Sequence, residues 1–381
     1  MTVTSPYSLH WKLETPSQIS CLSFGPSGHL VAGSGKFFWR DGSVRLYHTD
    51  SPMVSKAIRG LESEVVALAI VPRHEANDDD VWVAIEHKVL LFRFDSPKMI
   101  LALSDAVETL RLGENEEEEA LNEVSHFHVN HNKTKLAYTM DSGVVGIVDI
   151  STKMSSRMKV KHANIGWAVK FIPDRPSEIL SGGYDCALLH FDVVQGSLLS
   201  RLDFSEFSLS LIECLLTTNY TATSPPESGV SLSPPFVLST AVSSTGIAAA
   251  GLADGRVWIG IGGEKRPAAP GSGGKQKRSR KWEGLKENEG LSVKVAEGPV
   301  VGLVFVGPDK LISCTLLGSV THHQLSRTNT DGALELTTTW TRKTQALAKV
   351  NAISVAGDRI AIGGIGTNEK GIVEVWKAND V

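Results

Sequence analysis

Seven short runs of alternating apolar residues recur along the chain, most of them directly after a turn that contains glycine. Alternation with a period of two is typical of a half-buried strand. The central apolar residues of the runs are 43 to 69 residues apart. They are Val44, Val89, Val145, Leu188, Val257, Val320 and Val373. This repeat constrains the fold most, because a repeated unit of this size buries its apolar face only against its neighbours.

Two further strand-like segments precede each run, so every unit has the order strand, turn, strand, turn, strand. In the fourth unit these two segments are residues 167–172 and 178–183. This order indicates an antiparallel meander. Seven meanders in one chain predict an all-β fold, a seven-bladed β-propeller that forms a single domain over residues 1–381.

The two ends of the chain predict how the ring closes. The seventh run ends at residue 377 of 381, which is too early for a fourth strand in that blade. Residues 7–13 form a strand-like segment with no unit of their own, and Leu9, Trp11 and Leu13 alternate as a half-buried strand requires. We therefore expect an N-terminal strand to complete the seventh blade. The alternative is that residues 1–18 form a disordered leader.

Composition excludes several classes of protein. The formal net charge is −4, which does not suit a protein that coats nucleic acid. The four cysteines are far apart and form no Cys-x-x-Cys pair, so neither a zinc ribbon nor a dense disulfide framework is predicted. No apolar run approaches the roughly 18 residues of a membrane span, and no membrane association is expected.

The fourth unit resembles a WD repeat. It has His162 before its first strand, Ser181 in its second strand, Asp185 in the following turn, and Phe191-Asp192 where the WD-repeat family has Trp-Asp. The resemblance implies a structural hydrogen-bond chain through the His, Ser and Asp side chains. Phe191 has no N–H group, so we expect this chain to end at Ser181.

Residues 125–150 and 161–185 show a narrower resemblance. The segments HFHVN, KHANI and PDRPSEILSGGYD are similar to those of one group within the WD-repeat family. That group is thought to consist of substrate receptors of cullin-4 ubiquitin ligases, which the adaptor damaged-DNA-binding protein 1 bridges to the ligase. Receptors of this type usually carry a Trp-Asp-x-Arg signature. The candidate positions here, LFRFDSP over 91–97 and VDIST over 148–152, do not contain it.

Two segments do not fit the blade pattern. Residues 206–235 form an insertion rich in Ser, Thr and Pro. Residues 264–290 form a second insertion that we predict to be a disordered basic loop, because its part from 265 to 281 carries seven Lys or Arg residues and no acid. Its central cations are Lys275, Lys277, Arg278, Arg280 and Lys281. They could form a nuclear localisation signal or a patch for an anionic partner, or the loop could be a solvated linker.

No motif for catalysis occurs in the chain. It contains no phosphate-binding GxxxxGK[ST], no GxSxG nucleophile elbow and no HExxH, so we predict no catalytic residue, no cofactor and no enzymatic activity. The one histidine cluster consists of His126, His128 and His131. His126 and His128 share a face of a predicted strand, but no further ligand at suitable spacing completes a metal site, and none is expected.

Candidate partner-binding residues lie in the first and fourth units. Phe37, Phe38, Trp39 and Arg40 occupy a turn where most other units have a short turn with Gly or Asp, and these residue types are enriched at interface hot spots. The alternative is that Phe37 and Trp39 extend the second strand inward. Trp167 and Tyr184 are expected on the same rim of the propeller.

These observations predict a non-enzymatic protein-interaction scaffold in the nucleus, the cytoplasm or both. Its expected partners are other proteins, among them the cullin-4 adaptor that the resemblance implies. No small-molecule substrate is expected, and nucleic acid is not the preferred partner. The alternative is a nuclear assembly factor that uses the basic loop to bind nucleic acid or an acidic partner.

Overall fold

Strands make up almost all of the regular structure. A computed structural model describes residues 5–35, 42–73, 79–112, 122–205, 233–263, 282–286, 290–327 and 334–379. Within these residues the strands form seven sheets, and a single 3-10 turn lies at Leu103–Asp105. No helix in this described part is long and apolar enough to cross a membrane. The seven sheets follow one another around a ring, which confirms the predicted seven-bladed β-propeller.

Each of the first four blades contains four antiparallel strands, of which the first is innermost. Blade one has β2 (Ile19–Phe24), β3 (His29–Ser34), β4 (Ser43–His48) and β5 (Val54–Ile58). Blade two has β6 (Ala67–Pro72), β7 (Asp79–Ile85), β8 (Lys88–Arg93) and β10 (Glu108–Arg111). Between β8 and β10, the short β9 (Ile100–Leu101) pairs in parallel with β5 and adds a fifth strand to blade one. Blade three has β11 (Val124–Val129), β12 (Lys135–Met140), β13 (Val145–Asp149) and β14 (Ser155–Arg157). Blade four has β15 (Gly166–Ile172), β16 (Arg175–Gly183), β17 (Ala187–Asp192) and β18 (Ser197–Asp203).

The remaining three blades follow the same order. Blade five has β19 (Val237–Val242), β20 (Ala248–Leu252), β21 (Arg256–Gly260) and β22 (Gly290–Lys294). Blade six has β23 (Val300–Phe305), β24 (Lys310–Thr315), β25 (Ser319–Arg327) and β26 (Leu334–Lys343). Blade seven has β27 (Leu347–Ala356), β28 (Arg359–Gly366) and β29 (Gly371–Ala378), and its outer strand is β1 (Tyr7–Thr15).

Strand β1 closes the ring, as the sequence predicts. It pairs antiparallel with β29 from Tyr7 opposite Ala378 to Thr15 opposite Gly371. Trp11 is 8% exposed, and its indole N–H donates to the carbonyl of Thr49 in blade one at 3.0 Å. The N-terminal strand therefore joins blade seven to blade one through packing as well as through its backbone ladder.

The core is divided into seven apolar clusters, one between each pair of neighbouring blades in the described residues. The largest fully buried side chains include Trp258, Trp282 and Trp376. Because each cluster needs two blades, no blade buries its apolar faces alone.

The meander gives the ring two distinct faces. The upper face, as we use the term, carries the start of each innermost strand and the turn between the second and third strands. The lower face carries the other two turns of each blade.

On six of the seven blades a β-bulge interrupts the start of the innermost strand. A bulge leaves one residue out of the ladder and redirects its side chain. Blade seven has two such bulges, so the bulged residues are seven: Ser20, Ser125, Trp167, Leu238, Val301, Ala348 and Asn351.

Candidate functional site

Trp167 is the only aromatic residue among these seven bulged positions. The residue is 39% exposed at the upper face, although Trp is highly buried on average. The bulge between Gly166 and Ala168 keeps Trp167 out of the pairing with β16. Its exposure therefore follows from the backbone of the blade rather than from a loose loop.

Trp167 belongs to a row of three rings in contact that crosses from blade four to blade five. The centroids of Trp167 and Tyr184 are 5.2 Å apart, and those of Tyr184 and Phe236 are 5.1 Å apart with an interplanar angle of 15°. These separations are typical of favourable aromatic pairs. We call Trp167, Tyr184 and Phe236 the aromatic cluster.

Backbone hydrogen bonds position the second and third rings. The Tyr184 amide donates to the Ile165 carbonyl at 2.9 Å, which ties the turn of blade four to the segment that enters the blade. The Phe236 carbonyl accepts from the Ala253 amide at 2.9 Å, which ties the entry of blade five to its own turn. The aromatic cluster is thus attached to both blades at fixed points.

A buried hydrogen-bond chain supports the turn that carries Tyr184. The Asp185 carboxylate is 2.8 Å from His162 Nδ1 and also accepts from the Ala163 amide at 3.0 Å. Because a carboxylate only accepts, Nδ1 carries a proton, and in the neutral ring Nε2 accepts from the Ser181 hydroxyl at 2.7 Å. A Cβ added at Gly183 would lie 2.6 Å from Nδ1, so this position has room only for glycine. The residues His162, Ser181 and Asp185 singled out from the sequence are therefore in mutual contact.

A negative charge lies near the aromatic cluster, and exposed polar residues lie close to it in the sequence. Burial, followed by the negative charge of Asp141, raises the pKa of Tyr184, which places Asp141 within electrostatic range of the ring. Lys161, Asn164 and Asp141 are exposed. An apolar centre with a polar rim is the usual anatomy of a protein-protein interface.

The base of the basic insertion is also well anchored. Within the range 264–290 that the sequence predicts as disordered, residues 282–286 are packed, and Trp282 is 2% exposed. The Trp282 amide donates to Glu178 Oε2 at 3.0 Å, and its indole N–H donates to the Gly246 carbonyl at 2.8 Å. His190 Nε2 lies 2.8 Å from the same Glu178 oxygen, and Arg175 donates to Oε1 at 2.7 Å. Glu178 thus joins blade four to the base of the insertion.

This network predicts a specific dependence of stability on pH. Burial alone would raise the pKa of Glu178, but the hydrogen bonds from His190, the Trp282 amide and Arg175 outweigh it and lower the pKa to about 2. The stabilisation is therefore complete above the usual value of 4.5 and is lost as the pH falls from 4.5 through 2. We expect Glu178→Gln to destabilise the fold by about 2 kcal/mol at pH 7 and by much less at pH 2.5, as measured in thermal melts. An equal difference at both pH values would contradict this assignment.

His128 of blade three takes part in the contact between two blades. The Phe171 amide donates to His128 Nδ1 at 3.2 Å, which links blade three to blade four. Burial and the nearby positive charge of Lys170 lower the pKa of His126 to about 3. Among the described residues, no three His, Cys, Asp or Glu side chains are arranged to hold a metal ion.

Several predicted site residues lie outside the described residues. These are Phe37, Phe38, Trp39 and Arg40 of the blade-one turn, and Lys275, Lys277, Arg278, Arg280 and Lys281 of the basic insertion. Trp167 and Tyr184 are brought together, as described above. Phe236 was not predicted, because the sequence gives no indication that the entry of blade five adjoins the turn of blade four. The two prolines that precede Phe236 are the available signal for a fixed chain entry.

Comparison with known proteins gives a partial match. No family model matches the chain. The WD repeat-containing protein 53 homolog of Dictyostelium discoideum is 29% identical over 126 residues, which are 32% of this chain and 34% of that protein. The match thus spans about a third of the length of this relative. The partial match and the seven-bladed ring together support a propeller built from WD repeats.

Proposed function

We propose that this WD-repeat β-propeller is a non-enzymatic protein-interaction scaffold that binds a protein partner through the aromatic cluster on its upper face. The observation that carries the proposal is the exposed ring of Trp167, which packs against Tyr184 and extends from a bulge of the strand. A fixed aromatic side chain loses little conformational entropy on binding, and such residues are common hot spots.

The polar surroundings of the aromatic cluster support a protein partner. Asp141 accepts a hydrogen bond from the bulged Ser125 at 2.8 Å, so its carboxylate is held beside the cluster. A partner that covers the rings would exclude water from them while its own polar groups contact the rim. In the same proposal, Phe37, Phe38, Trp39 and Arg40 provide further contacts to the partner.

We further propose that the scaffold serves as a substrate receptor of a cullin-4 ubiquitin ligase. The resemblance of residues 125–185 supports this assignment, and the absence of the Trp-Asp-x-Arg signature from the candidate positions argues for an unusual contact with the adaptor. At one candidate position, Asp95 already forms a salt bridge within the chain, because its Oδ2 lies 2.8 Å from the Arg73 guanidinium. Binding of damaged-DNA-binding protein 1 that survives the change Asp95→Ala would place the contact elsewhere on the ring.

Affinity purification at two salt concentrations tests the scaffold proposal. A partner held by the aromatic cluster should stay bound when salt rises from about 50 to 200 mM, because burial of apolar surface is insensitive to salt in this range. A ligand held through 6–10 phosphate contacts would lose roughly 10³ to 10⁵ in affinity over the same range. The co-purifying chains are identified by mass spectrometry. Recovery of no protein partner at either concentration would contradict the proposal.

The alternative function is binding of nucleic acid or an acidic partner by the basic insertion in the nucleus. The observation that favours it is the charge of residues 265–281, which include seven Lys or Arg residues and no Asp or Glu. Replacing Lys275, Lys277, Arg278, Arg280 and Lys281 by alanine would then remove salt-sensitive binding, and a tagged protein would move from the nucleus to the cytoplasm. If neither changes in a folded variant, the insertion is a linker.

A further inference from the structure

A cavity of about 150 Å³ lies on the lower face between blades one and two, away from the aromatic cluster. Its walls are mostly aliphatic or aromatic, and polar groups line part of it. The lining residues are His29, Val31, Leu46, His48, Ser55, Lys56, Ile70, Asp79, Val81 and Phe94. A volume of this size can hold a group as large as benzene.

Asp79 has an unpaired carboxylate oxygen in this cavity. The side chain is only 5% exposed, and its Oδ1 accepts from the Ser27 hydroxyl at 3.1 Å. Its Oδ2 is buried and has no hydrogen-bond partner among the described residues. Among the described basic side chains, His29 comes nearest to this oxygen. Its Nδ1 is 3.7 Å from Oδ2, which is too far for a hydrogen bond.

An unpaired buried carboxylate oxygen is costly unless a donor reaches it. The only lysine of the cavity does not fill this role, because the Lys56 ammonium donates to the carbonyls of Ser96 and Lys98. Gly25 leaves space beside the oxygen, since a Cβ there would lie 2.7 Å from Oδ2. Among the described residues, the buried Oδ2 of Asp79 therefore has no donor, and it lies at the wall of the cavity.

We propose that this cavity binds the cationic side chain of an arginine or lysine from a protein partner. The aliphatic stem of such a side chain would pack against Leu46, Ile70 and Val81, and its charged end would donate to Asp79 Oδ2. The His29 side chain, which lines the cavity, is 24% exposed, so the cavity is accessible from solvent. This site is independent of the upper-face cluster, and either one can fail without the other.

Ligand-observed NMR on the full chain tests the proposal, with n-butylguanidinium as the probe and n-butanol as its neutral control. We expect saturable binding of the cation and no comparable binding of the alcohol. Asp79→Asn should weaken cation binding at least tenfold. The matched control is Asp95→Asn, which removes the same charge from the same blade but does not line the cavity, and it should change binding by less than twofold.

A second variant covers the possibility that Asp79→Asn unfolds. Gly25→Ala places a methyl group against Oδ2 and should also block the cation while Ser27 still supports the carboxylate. A blocked tripeptide, acetyl-Ala-Arg-Ala-amide, should bind at least as well as n-butylguanidinium, as a protein-borne side chain requires. Binding of the free cation alone would overturn the assignment to a protein side chain. Absence of saturable cation binding to the folded wild-type chain would overturn the site itself.

Discussion

Deletion of residues 1–14 is expected to abolish the stable fold. The deletion removes nearly all of β1, leaves the ladder edge of β29 unpaired, and uncovers the apolar cluster that Trp11 shares with Tyr47, Val373 and Val375. Loss of a buried Trp alone typically costs 3–5 kcal/mol, and the total stability of a domain is about 5–15 kcal/mol. We therefore expect aggregation, or a melting temperature lowered by more than 10 °C in a circular-dichroism melt.

Two controls separate ring closure from general effects of truncation. Deletion of residues 1–4 leaves β1 intact and should not change the melt. Trp11→Ala in the full-length chain should be destabilised by about 3–5 kcal/mol, because it keeps the ladder but loses the packing and the hydrogen bond to Thr49. An unchanged melting curve for the 1–14 deletion would refute closure by the N-terminal strand.

The blades and the closure could be predicted because both follow from local alternation. Leu9, Trp11 and Leu13 alternate in the sequence, and the same residues pair with β29 in the structure. The WD-type chain of blade four could be predicted because His162, Ser181 and Asp185 have the spacing of a known repeat. In these cases a pattern of a few residues carries the structural information.

The exposed ring and the lower cavity could not be predicted in full, because both depend on register and on contacts between blades. A bulge adds one residue to a strand without any special residue type, so the sequence placed Trp167 on the rim but gave no measure of its exposure. Phe236 and Asp79 acquire their roles only when a neighbouring blade packs against them. The parallel pair of β5 and β9 likewise joins residues from different blades.

Truncation of Trp167 is expected to weaken binding of the partner recovered by affinity purification at least thirtyfold. A central aromatic anchor typically contributes 2 kcal/mol or more on truncation, and this energy corresponds to that ratio of dissociation constants. The fold should be preserved, since the Trp167 side chain is partly exposed and its bulged backbone takes no part in the ladder. Isothermal titration calorimetry of Trp167→Ala and of the wild-type chain gives both dissociation constants.

Met154→Ala provides the matched control for the same measurement. Met154 is 73% exposed on the lower face of blade three, so its truncation removes an exposed apolar side chain away from the aromatic cluster. The proposed function predicts a loss of at least thirtyfold for Trp167→Ala, less than twofold for Met154→Ala, and similar thermal melts for all three proteins. A dissociation constant for folded Trp167→Ala within threefold of the wild-type value would contradict the claim that the aromatic cluster is the partner-binding surface.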